Sequence, residues 1–315
     1  MNDPAAFVTE AIARLKAEVP DRAIIAASGG IDSTTAAVLA ERALGERARA
    51  VFVDTGLLRE HEVETVGELF RTAGLRYEVV PAADRFLSAL EGVTEPEEKR
   101  RRIGTAFIRL FEEEAARFGT DRLVQGTIAP DWIESGGSIR DTIKTHHNVG
   151  GVPADSRLRL VEPLRDLYKD EVRAVARHLG IPSPDRQPFP GPGLAVRVGG
   201  PVTADRVRRA RVANAIVEEE VERAVAAGTI AKPWQYFAVL LPCRTVGVLG
   251  DSRVHGEAVS VRIVESIDAM TATAAELPRS VLSRISERIT RALHGEVVRV
   301  LYDITDKPPA TIEWE

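Results

Sequence analysis

The sequence predicts an α/β fold: a doubly wound parallel sheet followed by a smaller α+β domain. Three observations predict it. Short apolar runs at 23–27, 49–53, 76–80 and 122–125 alternate with stretches of helical period, the pattern of strand–helix–strand units. A loop of glycines and hydroxyls, Ser28-Gly29-Gly30-Ile31-Asp32-Ser33-Thr34, joins the first apolar run to the first long helical stretch. A segment containing Pro182, Pro184, Pro188, Pro190 and Pro192 then interrupts the pattern, and proline of that density continues neither a helix nor a central strand. Two domains are expected, residues 1–183 and 184–315, in keeping with a chain longer than one compact core usually holds.

In chain order, residues 4–18 carry Phe7, Ile12 and Leu15 on one helical stripe. The run Ala23–Ala27 reads as a buried strand, and Thr34–Leu44, rich in alanine, valine and leucine, reads as a helix. The loop between them has the composition of an anion cradle. Glycines admit close backbone approach, the helix start supplies free N–H groups, and Ser28, Ser33 and Thr34 add hydroxyls. Asp32 is out of place among donors unless a cation is present, which points to Mg2+ bridging phosphates. The plainer alternative is a strand–turn–helix with Ser or Asp as cap. The loop lacks the lysine of the G-x-x-x-x-G-K-[ST] phosphate loop. Instead it resembles the SGGxDS loop of the ATP pyrophosphatases, which implies ATP as substrate.

A strand at 49–53 ends at Asp54, a helix follows at 60–73, and a strand at 76–80 closes the first βαβαβ unit. Ligands of such sheets sit beyond the carboxyl ends of the strands, which places Ser28–Thr34 and Asp54 on one edge. Val53 and Asp54 are candidates to flank a nucleoside, with a simple turn role as the alternative for Asp54. Residues 95–118 read as a helix with Ile103, Phe107, Leu110 and Phe111 inward and Glu112–Glu114 solvated; its start, Lys99-Arg100-Arg101-Arg102, is either a solvated face or a phosphate clamp. The strand at 122–125 runs into Gly126-Thr127. Residues 128–151 have no period, and the glycine pairs at 136–137 and 150–151 suit a lid over 131–151. Adjacent His146 and His147 without cysteines or an HExxH context do not suggest zinc. A last strand at 158–164 precedes a helix from Tyr168 to Leu179, where Lys169 in the first turn opposes the helix dipole and hints at a nearby anion.

The second half reads as a helix at 203–225, half-buried antiparallel strands at 245–249 and 259–263, a helix at 278–293 and a strand at 297–304. The ending Lys307-Pro308-Pro309-Ala310-Thr311-Ile312-Glu313-Trp314-Glu315 is expected to dock at a site or interface. The single cysteine, Cys243, is expected to be a buried structural thiol and excludes internal disulfides and multi-thiolate metal sites. A net charge of −5 excludes a chain-wide basic footprint for nucleic acid, and no apolar run approaches the roughly 20 residues of a membrane span. A cytoplasmic protein is expected.

Taken together, SGGIDS, VDTGLLR, EEKRRRIG, QGT…PDWIES, HHNVGG, VEPLRDLYKDEV, PFPGPGLAVRV, VLLPCRTVGVLGDSR and DITDKPPATIEWE, in that order, resemble the synthetase and dimerisation part of the GMP synthetases. The resemblance covers essentially the whole chain. It implies adenylylation of the O2 of XMP by ATP with release of pyrophosphate, then displacement of AMP by ammonia. It assigns Ser28, Gly29, Gly30, Ile31, Asp32, Ser33 and Thr34 to the pyrophosphate end of ATP, Val53, Asp54, Gly126 and Thr127 to the nucleoside end, and Lys169 to phosphate. Asp32 and Lys169 are the catalytic candidates, and Asp32 the magnesium ligand. Arg100, Gln235, Asp251, Lys307 and Glu313 are implied to hold XMP where two domains or two protomers meet, with a homodimer formed through the second domain. Many members begin with a glutamine amidotransferase domain. This sequence starts at the synthetase part and carries no nucleophile-elbow cysteine, so ammonia is expected free or from a separate glutaminase subunit. Another SGGxDS enzyme is the rival reading: a tRNA-thiolating enzyme needs cysteines or a basic surface, and NAD synthetase lacks the KPPATIEWE ending.

Overall fold

The computed structural model describes residues 3–130, 156–182, 187–267 and 269–315. Its contacts divide the chain into two units. The first comprises Met1–Gly56, His61–Ala89 and Arg100–Asp185; the second comprises Leu57–Glu60, Leu90–Lys99 and Arg186–Glu315. Two short stretches from the first half of the sequence, 57–60 and 90–99, thus belong to the second unit, an assignment that composition does not reveal. The expected lid, residues 131–151, with His146 and His147, lies outside the described residues.

The first unit opens with α1 (Pro4–Glu18), capped by the Asp3 carboxylate on the N–H of Ala5 at 2.9 Å. Its inward residues are Val8, Ala11 and Leu15, while Phe7 and Ile12 are only half-buried. The expected stripe is therefore rotated: Leu15 anchors it and the small Ala11, not the larger Ile12, meets the neighbouring helices. There follow β1 (Ala23–Ala26), α2 (Ile31–Leu44), β2 (Ala48–Asp54), α3 (Glu62–Thr72) and β3 (Tyr77–Pro81). Then come α4 (Ala83–Ala89), α5 (Pro96–Phe118), β4 (Arg122–Val124), β5 (Arg159–Val161) and α6 (Lys169–His178). The short α4 has no counterpart in the sequence pattern, because seven residues present only one deeply buried side chain, Phe86.

The five strands pair in parallel in the order β3-β2-β1-β4-β5. The chain builds outward from β1 to β3, then returns to lay β4 on the other side of β1. The reversal puts the ends of β1 and β4 at the switch point of the sheet, the position at which such sheets bind ligands. Ile24 and Ile25 on β1 and Ala36, Ala37, Leu39 and Ala40 on α2 have no exposed surface. Alanine on α2 lets that helix lie close to the sheet, and this packing rigidly sets the loop between them. Phe70 of α3 meets the rings of Phe52 and Tyr77 edge-on at 6.2 and 5.4 Å. On α5, Glu114 is buried beside Arg117 rather than solvated, since an arginine one turn on supplies the charge partner.

In the second unit α7 (Ala204–Ala226), β6 (Gln235–Leu249), β7 (Ser252–Glu265), β8 (Thr273–Ala274), α8 (Arg279–Ala292) and β9 (Val297–Tyr302) follow in order. Strand β7 pairs antiparallel with β6 and β8 and parallel with β9. The strand expected at 259–263 as half-buried is buried on both faces from Gly256 to Val264, because β7 is the central strand. The strand expected at 245–249 begins ten residues earlier, at Gln235. A register shift between Leu240 and Arg244 separates a buried inner half from an exposed outer half. Cys243 falls in that irregular step and is exposed, contrary to the buried thiol expected: the bulge frees its backbone from the ladder and turns the chain to solvent. The helices expected at 203–225 and 278–293 both form. Val207, Ala210, Asn214, Val217 and Val221 on α7 and Val281, Ile285 and Ile289 on α8 are all buried.

Candidate active site

The site grows from the end of β1. After Ala26 the chain turns through Gly29, whose φ is +80° and whose absent Cβ would lie 2.5 Å from Val66 Cγ2. Both the left-handed backbone and the lack of room demand glycine. Gly30 is the cap residue of α2, with no side chain on its N–H groups. The first intrahelical bond is from Thr34 N to Gly30 O, at 2.9 Å. The N–H groups of Ile31, Asp32 and Ser33 therefore have no intrahelical acceptor and form a donor array at the positive end of the helix.

The serine hydroxyls hold the loop's shape. Ser33 Oγ donates to Gly30 O at 3.0 Å and accepts from Ser28 N at 3.1 Å, and the two serine oxygens lie 2.9 Å apart. The threonine differs: Thr34 Oγ1 is buried without a hydrogen-bond partner. The end of β4 lies beside this loop. A Cβ on Gly126 would lie 2.7 Å from the Asp32 carbonyl carbon and the Ser33 nitrogen, so the end of β4 rests directly on the first turn of α2. Gln125 Oε1 and Thr127 Oγ1, on either side of that glycine, are likewise buried and unpartnered. Gln125 was not singled out from the sequence, although it adjoins the small-residue turn that was.

Asp32 is shared between a protein cation and an open position. Lys169, first residue of α6, donates from Nζ to Asp32 Oδ2 at 2.5 Å. Within the chain its partner is this carboxylate. Asp32 Oδ1 is buried and accepts from nothing. Among the described residues no group of three or more His, Cys, Asp or Glu side chains is arranged for a metal. One free carboxylate oxygen fits a magnesium ion whose remaining ligands are phosphate and water oxygens, the ordinary mode for that ion. Val53 is buried at the end of β2, and Asp54 turns the chain after it, Oδ1 accepting from Gly56 N at 2.9 Å.

The residues implied for the second nucleotide are distributed as follows. Arg100 is half-buried near the start of α5 and counts with the first unit. Within the second unit Gln235 and Glu313 meet, Nε2 to Oε1 at 3.1 Å. Lys307 donates to Ala269 O at 2.8 Å. Asp251 is exposed in the turn between β6 and β7, at the far end of the hairpin from Gln235. That strand has 15 residues, a length on the order of 45 Å at about 3.3 Å per residue, so one chain does not bring Asp251 to its own Gln235. Two contributors escaped the sequence reading. Arg197 grips Glu313 with Nε and Nη2 at 3.0 and 2.7 Å. Lys99, read as part of a cation run, is wholly buried and paired with Glu315.

Comparison with known proteins gives a consistent result. Residues 1–111 match the family model described as NAD synthase, and residues 220–314 match that of the GMP synthase C terminal domain. The chain is 59% identical over 313 residues to the B subunit of the glutamine-hydrolyzing GMP synthase of Pyrococcus horikoshii, covering 98% of both. It is 58% identical over 319 residues to the corresponding B subunit of Methanopyrus kandleri, covering all of each. The glutamine-hydrolyzing GMP synthase of Aeropyrum pernix is 56% identical over 316 residues, which are 99% of this chain and 61% of that longer protein. Among the described residues no helix is long and apolar enough to cross a membrane. With likeness of this extent along its whole length, the chain belongs to the family of GMP synthase B subunits.

Proposed function

We propose that this chain is the synthetase subunit of a GMP synthase, converting XMP to GMP at the expense of ATP in the cytoplasm. The O2 of XMP attacks the α-phosphorus of ATP, and the bond to the pyrophosphate oxygen breaks. Ammonia nitrogen then adds at C2, AMP departs with O2, and the surplus protons pass to solvent. A purine oxygen is a poor leaving group until it carries AMP, and positioning with charge neutralisation supplies most of the assistance. The N–H array of residues 31–33 receives the pyrophosphate end of ATP. Asp32 Oδ1 would hold Mg2+, which when bound would supply Lewis-acid neutralisation of the phosphates. Lys169 adds a cation at the same point and aligns the carboxylate. Val53, Asp54, Gly126 and Thr127 border the nucleoside.

The observation that carries this reading is the juxtaposition of Gly126 with the first turn of α2, beside a buried, unpartnered Asp32 oxygen. In the second unit, Gln235, Lys307 and Glu313 are assigned to XMP. The position of Asp251 at the hairpin tip supports a homodimer in which that residue serves the partner's XMP. Exposed Val246 and Val248 on the same hairpin are suited to the contact. The relatives' designation as one lettered subunit of a glutamine-hydrolyzing enzyme supports a separate glutaminase as ammonia source. The test is pyrophosphate and AMP release by the isolated chain with ATP, Mg2+ and XMP. Pyrophosphate is expected only when XMP is present, and AMP with GMP in equal amount only when ammonium is added as well. Glutamine in place of ammonium is expected to give no GMP, and equal rates with the two would refute the need for a partner.

A further inference from the structure

Among the described residues three lysine or arginine side chains have no exposed surface: Lys99, Arg197 and Arg262. All three bind the same segment, residues 303–315, and all lie with it in the second unit. Arg262 donates to the carbonyls of Thr305 and Thr311, the latter at 3.1 Å, with the Asp303 carboxylate 3.4 Å away. Arg197 holds Glu313 through two parallel hydrogen bonds, gives a third to Asn214 Oδ1 at 3.2 Å, and stacks over the ring of Phe237 at 4.0 Å. Lys99 pairs with Glu315 and donates to Val198 O at 2.8 Å, while Gly200 N donates to the other Glu315 oxygen at 3.3 Å.

This is an unusual way to fasten a chain end. Burying a cation is costly, and apolar substitutes for buried ion pairs are commonly as stable or more so. The segment contributes little to the core beyond Ile312, which packs with Phe237, Val239, Val264 and Ala272. What the ionic contacts supply is a single geometry, since the arginine fork fits a carboxylate in one plane. A carboxylate has about four acceptor positions. Arg197 occupies two on Glu313 and Gln235 a third, so the remaining one is aimed by the other three.

We propose that Arg197 and Lys99 are positioning residues of the XMP site: Arg197 orients Glu313, and Lys99 latches the chain end through Glu315, so that Glu313 and Lys307 are presented in one fixed arrangement. The inference rests on the assignment of Glu313 and Lys307 to XMP made above. Burial drives the Lys99 amine below its usual pKa, and Glu315 works to keep it charged. When Glu315 is neutralised the amine can shed its proton instead of unfolding the site, which makes Glu315→Gln a mild probe.

The test is steady-state kinetics of the full chain with ammonium, following AMP release, together with thermal melts. Variants are Glu315→Gln, Lys99→Met and the double Lys99→Met/Glu315→Gln. Each single variant is expected to raise KM for XMP about tenfold, leaving KM for ATP within about twofold, and the double is expected to resemble the worse single. Unchanged KM for XMP in a folded Glu315→Gln chain, equal rises in both KM values, or additive effects in the double would each overturn the latch. Should the unmodified chain release no AMP in response to XMP, the functional reading itself fails, an outcome distinct from all of these.

Discussion

At the scale of single residues, the proposed site turns on Asp32 and Gly126. Asp32 does two things at once: one oxygen takes Lys169 and the other remains open. Asp32→Asn keeps the shape and removes the charge. XMP-dependent pyrophosphate release is expected to fall by about 10²–10³, the scale of losing one preorganised electrostatic contact, with the melting temperature little changed. Gly126→Ala tests the close approach. Its Cβ would enter backbone atoms of Asp32 and Ser33 at 2.7 Å, and backbone does not swing aside as a side chain does. Overpacking of this kind costs about 1–3 kcal/mol, and the displaced first turn of α2 is expected to weaken ATP binding, read as a raised KM for ATP.

At the scale of elements, α7 and α8 are joined by charge at one buried acid. Glu220 has no exposed side-chain surface and accepts from Arg284 at 3.1 Å, Arg288 at 2.8 Å and Arg223 at 2.7 Å. Burial works to raise its pKa, but the hydrogen bonds from Arg288 and Arg284 prevail and hold it below the usual glutamate value of 4.5. A depressed carboxylate gives stability that is complete above the unfolded pKa and disappears as pH falls through the folded one. Melts between pH 7 and 3 are expected to show this loss beginning near pH 4.5. Glu220→Gln is expected to cost about 1–3 kcal/mol near neutrality and to flatten the acid limb of the profile. The β6–β7 hairpin is the other element with its own logic. Its inner half is core, and its outer half, past the register shift, carries Val248 at 78% exposure and the turn with Asp251.

At the scale of the whole molecule, the proposed homodimer makes that hairpin the link between assembly and activity. Val248→Glu places a charge on the exposed strand without touching the core of either unit. Sedimentation is expected to show a shift from dimer to monomer. XMP turnover is expected to fall with it, because Asp251 then reaches no partner. A monomer with full activity would refute the shared site. The chain matches its B-subunit relatives along their length but only 61% of the longer Aeropyrum pernix protein.

Most of the longer elements and the place of the glycine-and-hydroxyl loop were legible in the sequence, because each depends on residues a few positions apart. Gly29, Asp32 and Gly126 announced themselves by being small or charged at strand ends, where local geometry restricts the choice. Lys99 did not. In sequence it is one of four cations in a row, and only Glu315, 216 residues away, makes it a buried latch. Arg197 was hidden in the same way by its distance from Glu313. Cys243 reads as buried because its neighbours are apolar, and a bulge set by strand pairing turns it outward. What the chain determined by itself is local conformation and the composition of the glycine-and-hydroxyl loop after β1. Which cations are buried, and which acids they orient, was decided only when distant segments met, because the cost of burying charge depends on its partner and not on its neighbours in the chain.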